Sequence, residues 1–594
     1  MFTKSGLIIK QTPRSKLSLL LVLLMLLALS LSACSDAGGL SQPTVAQPPA
    51  AVQSGNQAPP ANPNPAGAAN ITGLPYDCSK IFCFGLAQEP VGLLQNNFVF
   101  DPANLVDRSS LQITRQVYET LFEFKPDSMQ YQYSSLLKYE PKVSEDGLTY
   151  TLRLGKGLRF SDNTPLDAAA IKFNFDRWSD PGNRFHKGDF STWSYYFGGF
   201  PGKLSSVTAD QDNNLVTIKL KQPMGNFFQV LSMPQFGIVA PSAFNTNSGE
   251  MEHSTGSGRY LIEKVVRSDN KYVVLRENQM YYFQRYDPAD PNKPTVKSNT
   301  IVALVLKQNQ DGLDELRKGA ISATDKIKPE EVPNATKDPA FKLLDRNPLS
   351  IAFLGMNQTR PPFNNLLVRQ AFAAAIDTNA LVRDYYFGLG EPASVLLPPT
   401  SLAQIDTHDP YEYDPDQARR LLDTAGYNLS NPLKLDLWVL PVPRAYYPDP
   451  KKIADAIASY LQKVGVQVTV RDSYAWPDFY KARQAGTMDF YMFGWQGQNG
   501  DPDEFLGEFF GKPSGEGGYE NPVLTGLIQD GLKDSDLRNR RDYYRQAQDI
   551  IYDQLPVLPL AYVKGVVAIR PNVVGYVAHP TGIENWSSVG LANK

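Results

Sequence analysis

Along this chain the spacing of hydrophobic and polar residues changes character near its middle. Runs at 149–154, 215–220 and 272–275 alternate apolar with polar residues or are rich in β-branched residues, and turn residues bound them. That pattern predicts strands in the first half. Between 347 and 565 the texture becomes helices alternating with strands. Asp414 and Pro415 open a helix as cap and first residue, and Gly426 closes it after Ala425. A strand at 433–439, a helix at 451–464 stopped by Gly465, and a strand at 466–470 follow. Strand–helix–strand order of this kind predicts a parallel sheet. Further helices are expected at 371–386, ending at Gly388, and at 537–552 before Pro556. From 565 onward the chain is strand- and turn-like again. The pattern therefore predicts an α/β fold of two lobes, 74–347 and 348–564, with 565–594 returning to the first. Two lobes joined by crossing segments leave a cleft, where ligand sites tend to lie.

The N-terminus reads as an address. Lys4, Lys10, Arg14 and Lys16 precede an apolar run at 17–31 of about 15 residues. That length suits a signal peptide and falls short of a span of about 20. The run ends in Leu31-Ser32-Ala33-Cys34, which resembles a bacterial lipobox. Residues 1–33 are thus expected to be a lipoprotein signal peptide, with Cys34 the lipidated new N-terminus; an ordinary secretory signal or a short membrane anchor are the alternatives. Residues 34–73 are mostly Pro, Ala, Gly, Gln, Asn and Ser, with a single charged residue, Asp36. A segment so poor in apolar surface is expected to stay a disordered tether. The location implied is the extracytoplasmic face of a bacterial membrane. There, two cysteines five apart, Cys78 and Cys83, close a small disulfide loop more often than they bind metal.

Composition mainly excludes. The 594 residues carry 58 Lys+Arg against 61 Asp+Glu, a net charge of −3, which gives no electrostatic footprint for nucleic acid. Three cysteines rule out a disulfide-built scaffold and any Cys₄ zinc site, and the four histidines lie far apart in sequence. No phosphate-binding loop, H-E-x-x-H, C-x-x-C or G-x-S-x-G element occurs, so no cofactor, metal or catalytic residue is expected. Asp501-Pro502-Asp503-Glu504 lacks the spacing of a calcium loop. Glu145-Asp146-Gly147 reads as a hairpin turn.

Several ordered blocks then carry a resemblance. They are Tyr118-Glu119-Thr120-Leu121-Phe122-Glu123, the stretch from Pro141 to Tyr150 continuing through Leu158–Leu166 into Ile171-Lys172-Phe173, Ser254-Thr255-Gly256-Ser257-Gly258-Arg259-Tyr260, and Val368-Arg369-Gln370-Ala371-Phe372. Over about 80–570 they resemble the extracytoplasmic solute-binding proteins, family 5, of ABC importers, the peptide and nickel class. The resemblance implies a periplasmic-binding-protein-like fold with mixed sheets. It implies binding without chemistry on the solute, and delivery of that solute to an ABC permease and its ATPase subunits.

Leu437-Trp438-Val439-Leu440-Pro441-Val442-Pro443-Arg444 and Phe493-Gly494-Trp495-Gln496-Gly497-Gln498 are most similar to dipeptide-binding members. By that resemblance Arg444 pairs with a peptide carboxylate; Tyr446 is expected to face the ligand from its placement two residues from Arg444, and Trp495 either stacks on ligand or belongs to the core. The position that holds an aspartate for the peptide's ammonium is Gln498 here; Asp501 could replace it if the loop turned it inward, and the alternative, a loop and helix cap, is the commoner role of a D-P-D run. Cargo is therefore expected to be a small peptide or peptide-like solute. The same fold with a nickel chelate, haem, glutathione, an opine or an oligosaccharide is the first alternative, and a secreted hydrolase the second.

Overall fold

The computed structural model describes residues 74–93, 99–281, 298–404 and 408–592. The lipobox with Cys34 and the tether lie outside these residues. Among the described residues no helix is long and apolar enough to cross a membrane.

Three sheets organise the chain. A seven-stranded mixed sheet runs in the order Lys342–Arg346, Gly565–Ile569, Ala323–Thr324, Phe82–Leu86, Thr300–Val305, Tyr272–Glu277, Tyr260–Val266. A four-stranded antiparallel sheet, Lys142–Val143, Thr149–Arg153, Leu215–Leu220 and Leu204–Asp210, completes the first lobe. The second lobe is built on a six-stranded sheet, ordered Gly390–Pro392, Val557–Val563, Ser350–Met356, Phe490–Gln496, Lys434–Trp438, Gln467–Arg471. Each sheet has its own apolar core, the largest being that of the second lobe, around Phe353, Phe363, Phe372 and Phe490.

Local chemistry explains most elements. Asp146 accepts the N–H of Leu148 at 3.0 Å, and Gly147 takes φ +66°, so Glu145-Asp146-Gly147 turns the hairpin as its sequence implies. Asp414 accepts the Gln417 N–H and starts the helix Pro415–Thr424. Lys434–Trp438, the helix Pro450–Lys463 and Gln467–Arg471 form the expected strand–helix–strand unit, with the two strands parallel. Parallel pairing stops after Phe490–Gln496, because the remaining neighbours in that sheet are antiparallel. The helix expected at 371–386 is two helices, Leu366–Ala375 and Thr378–Tyr385. Asp377 breaks it: its carboxylate accepts the Ala380 N–H at 2.9 Å and starts a new helix. Cys78 and Cys83 are joined by a disulfide.

Two short spans join the lobes. Lys342–Arg346 pairs antiparallel with Gly565–Ile569 on one side, and Ser350–Met356 pairs antiparallel with Val557–Val563 on the other. The crossings are therefore 347–349 and Lys564 alone, side by side. At their root Arg346 is buried. Its Nε donates to Glu584 at 2.7 Å and its Nη1 to Asp325 at 3.2 Å, while Arg108 meets Asp325 at 2.8 Å. Glu584 sits on the returning C-terminal segment, which Gln112 and Gln116 hold through the Glu584 carbonyl at 2.7 and 2.8 Å.

Removing one member of such a buried pair leaves the other charge uncompensated. Glu584→Ala is expected to destabilise the folded chain by about 3–5 kcal/mol, measured as a lowered midpoint in urea; an unchanged midpoint would show that Asp325 alone satisfies Arg346.

Candidate ligand-binding site

In an α/β sheet, ligands collect beyond the carboxyl ends of parallel strands. Lys434–Trp438 and Phe490–Gln496 are adjacent and parallel, with Leu437 opposite Phe490 and Trp438 opposite Tyr491. The loops that leave their carboxyl ends, 439–449 and 497–501, therefore emerge on the same edge of the sheet. These loops contain all five candidate ligand residues except Trp495, which stands at the end of its strand.

Arg444 sits in a closed turn, in which Arg444 and Tyr447 exchange backbone hydrogen bonds of 3.1 and 3.0 Å. The turn is anchored below by Tyr447, whose hydroxyl donates to the Phe353 carbonyl at 2.8 Å. The Arg444 guanidinium lies 4.8 Å from the ring centre of Trp476, a cation–π contact. No carboxylate pairs with it among the described residues. A half-buried, face-stacked guanidinium without an anionic partner has its forked donors free for a carboxylate.

Tyr446 is buried and its ring packs on the backbone of Gly494, where even a methyl group would meet the ring at 2.4 Å. Burial pushes its phenol up to about 12, with Arg444 and Arg483 pulling the other way. Trp495 is half-buried and meets Phe509 edge-on at 5.7 Å. Beside it Arg483 is fully engaged: Nε donates to Glu516 at 2.8 Å and the guanidinium lies 3.8 Å from the Phe493 ring centre.

The loop 497–501 is held from behind by Glu504. Its carboxylate accepts the N–H groups of Gln498 at 2.9 Å, Asn499 at 2.9 Å and Gly500 at 3.1 Å, and the hydroxyl of Tyr196 at 2.7 Å. Burial holds this carboxyl up at about 7 against the pull of those four donors. Gln498 is half-buried, and its Oε1 faces the Gln235 Nε2 of the first lobe at 3.5 Å. Asp501 has no exposure. Its Oδ1 accepts from Arg540 at 2.8 Å and from the Asp503 N–H at 3.0 Å, so it caps the turn Pro502–Glu504 instead of turning toward the cleft. Its neighbour Asp503 is raised to about 7 by burial and by the Asp501 charge.

Trp476, Gln235, Tyr196 and Glu504 were not among the expected residues. Trp476 opens a helix, where an aromatic carries no sign that an arginine will lie on it. Tyr196 and Glu504 are 308 residues apart, and nothing local marks either as the other's partner. Among the described residues no cluster of three or more His, Cys, Asp or Glu could hold a metal ion.

Two lobes on mixed sheets, with an unpaired arginine and aromatic rings at the carboxyl ends of parallel strands, define a solute-binding protein. Residues 132–517 match the model of the bacterial extracellular solute-binding proteins, family 5 Middle, and the chain belongs to that family. Heme-binding protein A of Haemophilus influenzae is 30% identical over 537 residues, covering 87% of this chain and 93% of that protein. The dipeptide-binding protein of Escherichia coli is 28% identical over 514 residues, covering 84% and 92%. The solved structure of HbpA2 from Haemophilus parasuis has a TM-score of 0.76 at 26% identity, covering 86% of this chain and all of that one. The first two of these relatives are named as binding proteins.

Proposed function

We propose that this chain is the solute-binding component of an ABC importer that captures a small peptide or peptide-like carboxylate and delivers it to the permease. The observation that carries this reading is Arg444, stacked on Trp476 and without a carboxylate partner among the described residues. Desolvating a cargo carboxylate costs several kcal/mol unless a cation meets it. Arg444 supplies that cation in bidentate form. The spans 347–349 and Lys564 provide the hinge about which the lobes close on cargo. Capture is binding alone, and energy for transport comes from the partner ATPase.

The other end of the cargo meets amides. Gln498 and Gln235 face each other, and the buried Gln235 Oε1 and Asn499 Nδ2 have no partner among the described residues. Asp501 and Glu504 are both engaged from behind. A cargo with one carboxylate and a neutral, hydrogen-bonding far end suits this arrangement better than a zwitterion.

Haem is the second reading. A relative named heme-binding protein A is 30% identical over most of the chain, and haem carries carboxylates that Arg444 can take. A Soret shift on titrating hemin that excess dipeptide does not reverse would favour it over peptide cargo.

The lipobox and the tether after it support anchoring by lipidated Cys34 at the outer face of the cell membrane, where more than one acyl chain gives stable attachment. Cys34→Ser is expected to move the protein from the detergent phase to the aqueous phase with cargo binding intact. Unaltered partitioning would refute lipidation.

Arg444→Ala is expected to weaken carboxylate-bearing ligands found by thermal-shift screening by at least about 2 kcal/mol, or about 30-fold, by calorimetry. An unchanged Kd would make Arg444 structural. Gln498→Asp is expected to tighten free di- and tripeptides, since a charge-assisted hydrogen bond is about twice as strong as a neutral one. The parent chain should accept N-acetylated peptides, and a strict demand for a free α-amino group would contradict this placement of cargo.

A further inference from the structure

Adjacent tyrosines of the first lobe meet two glutamates of the second. On the helix Ser191–Phe197, Tyr196 donates to Glu504 at 2.7 Å and Tyr195 to Glu508 at 2.9 Å. Glu504 ends the turn Pro502–Glu504 and Glu508 lies four residues on, in the helix Leu506–Phe510, so the hydroxyls of two adjacent tyrosines on one lobe meet two carboxylates close in sequence on the other. The Tyr196–Glu504 bond is buried, and its acceptor is the same carboxylate that gathers the N–H groups of Gln498, Asn499 and Gly500.

The far end of that loop is tied across the lobes as well. Arg540 holds Asp501 with one guanidinium nitrogen, at 2.8 Å, and the Gly225 carbonyl of the first lobe with another, at 3.0 Å. Gly225 in turn donates its N–H to the Leu532 carbonyl of the second lobe at 2.6 Å. The loop 497–501 is thus attached to the opposite lobe at two places, through Glu504 at residues 498–500 and through Arg540 at Asp501, and Gln498 belongs to the first of them.

We propose that Glu504 is a positioning residue that couples the shape of the 497–501 loop to closure of the lobes, through the Tyr196 hydroxyl. Closing brings Tyr196 onto Glu504. Glu504 then has its full set of donors and fixes the three amides that present Gln498 to the cleft. Opening withdraws the hydroxyl and loosens the same loop. Cargo contact and closure are therefore one event seen from two sides. The coupling rests on the cleft reading above for its purpose, but its geometry and its test need no cargo.

Hydrogen exchange on the mature full chain reads both sides at once. Exchange of the Gly225 amide reports separation of the lobes, and exchange at Gln498, Asn499 and Gly500 reports the loop. Tyr196→Phe keeps the ring in its core and removes only the hydroxyl. It is expected to speed exchange at Gly225 and at the three loop amides together, by about tenfold, the scale of a hydrogen bond to a charged acceptor. Glu504→Gln is expected to speed the loop amides by at least as much. If it fails to fold, Tyr196→Phe alone decides. Unchanged exchange at all four amides overturns the proposal, and so does a rise confined to Gly225 or to the loop. Failure here would leave the Arg444 cargo reading standing, and an unchanged Kd in Arg444→Ala would leave this coupling standing.

Discussion

Everything about the cleft depends on how few residues cross it. The two lobes share a two-stranded ribbon that is hydrogen-bonded on both sides and interrupted only at 347–349 and Lys564. The strands on either side are paired antiparallel, so the two interruptions fall at the same place in the ribbon, three residues on one strand against one on the other. The buried Arg346 and Glu584, with Asp325 and the more exposed Arg108 beside them, fix the root of this ribbon to the first lobe. They also use the returning C-terminal segment as a brace, which is why a chain that has finished the second lobe comes back.

The crossing reaches the cargo loop directly. The Gly497 N–H donates to the Leu349 carbonyl at 2.9 Å, so the loop that carries Gln498 begins on the crossing strand. The Leu402 N–H and the Ser401 hydroxyl hold the Gly500 carbonyl at 3.0 and 3.2 Å from the other side. A loop fastened to the crossing, to its own lobe and, through Glu504 and Arg540, to the opposite lobe has little freedom of its own. Its conformation belongs to the arrangement of the lobes. The Arg444 turn is different: its bonds are internal, or reach down to Phe353, and it stays as it is whatever the other lobe does.

Features that arise between residues close together in the chain are legible in the sequence. The cap at Asp414, the turn at Gly147 and the strand–helix–strand unit that ends at Arg471 all follow from residues within a few positions of one another. Arg444 is legible because a whole block around it resembles its relatives. The break at Asp377 is not, because alanine-rich flanks hide one aspartate that prefers a cap to a helix interior. The antiparallel half of the second sheet is hidden too, because pairing partners such as Ser350–Met356 and Val557–Val563 lie some 200 residues apart. Asp501 is legible in part: its D-P-D run reads as a loop and helix cap, and it caps the turn Pro502–Glu504, but Arg540 also holds its carboxylate, and no spacing rule joins those residues.

The fate of negative charge near Gln498 then governs what the cleft can hold. Asp501 and Glu504 both follow it closely in the chain, and both are engaged away from the cleft. Asp501 compensates Arg540, itself buried, and could not leave without exposing that charge. Glu504 is surrounded by three backbone N–H groups and a hydroxyl, which use most of its acceptor capacity. A cationic group beside Gln498 would therefore find amide oxygens and no net charge, at a place where burial makes an uncompensated ion expensive. On the proposed reading a neutral amide, hydroxyl or acyl group suffers no such penalty there, while Arg444 takes an anion, so that cargo is selected for charge at Arg444 and for its absence at Gln498.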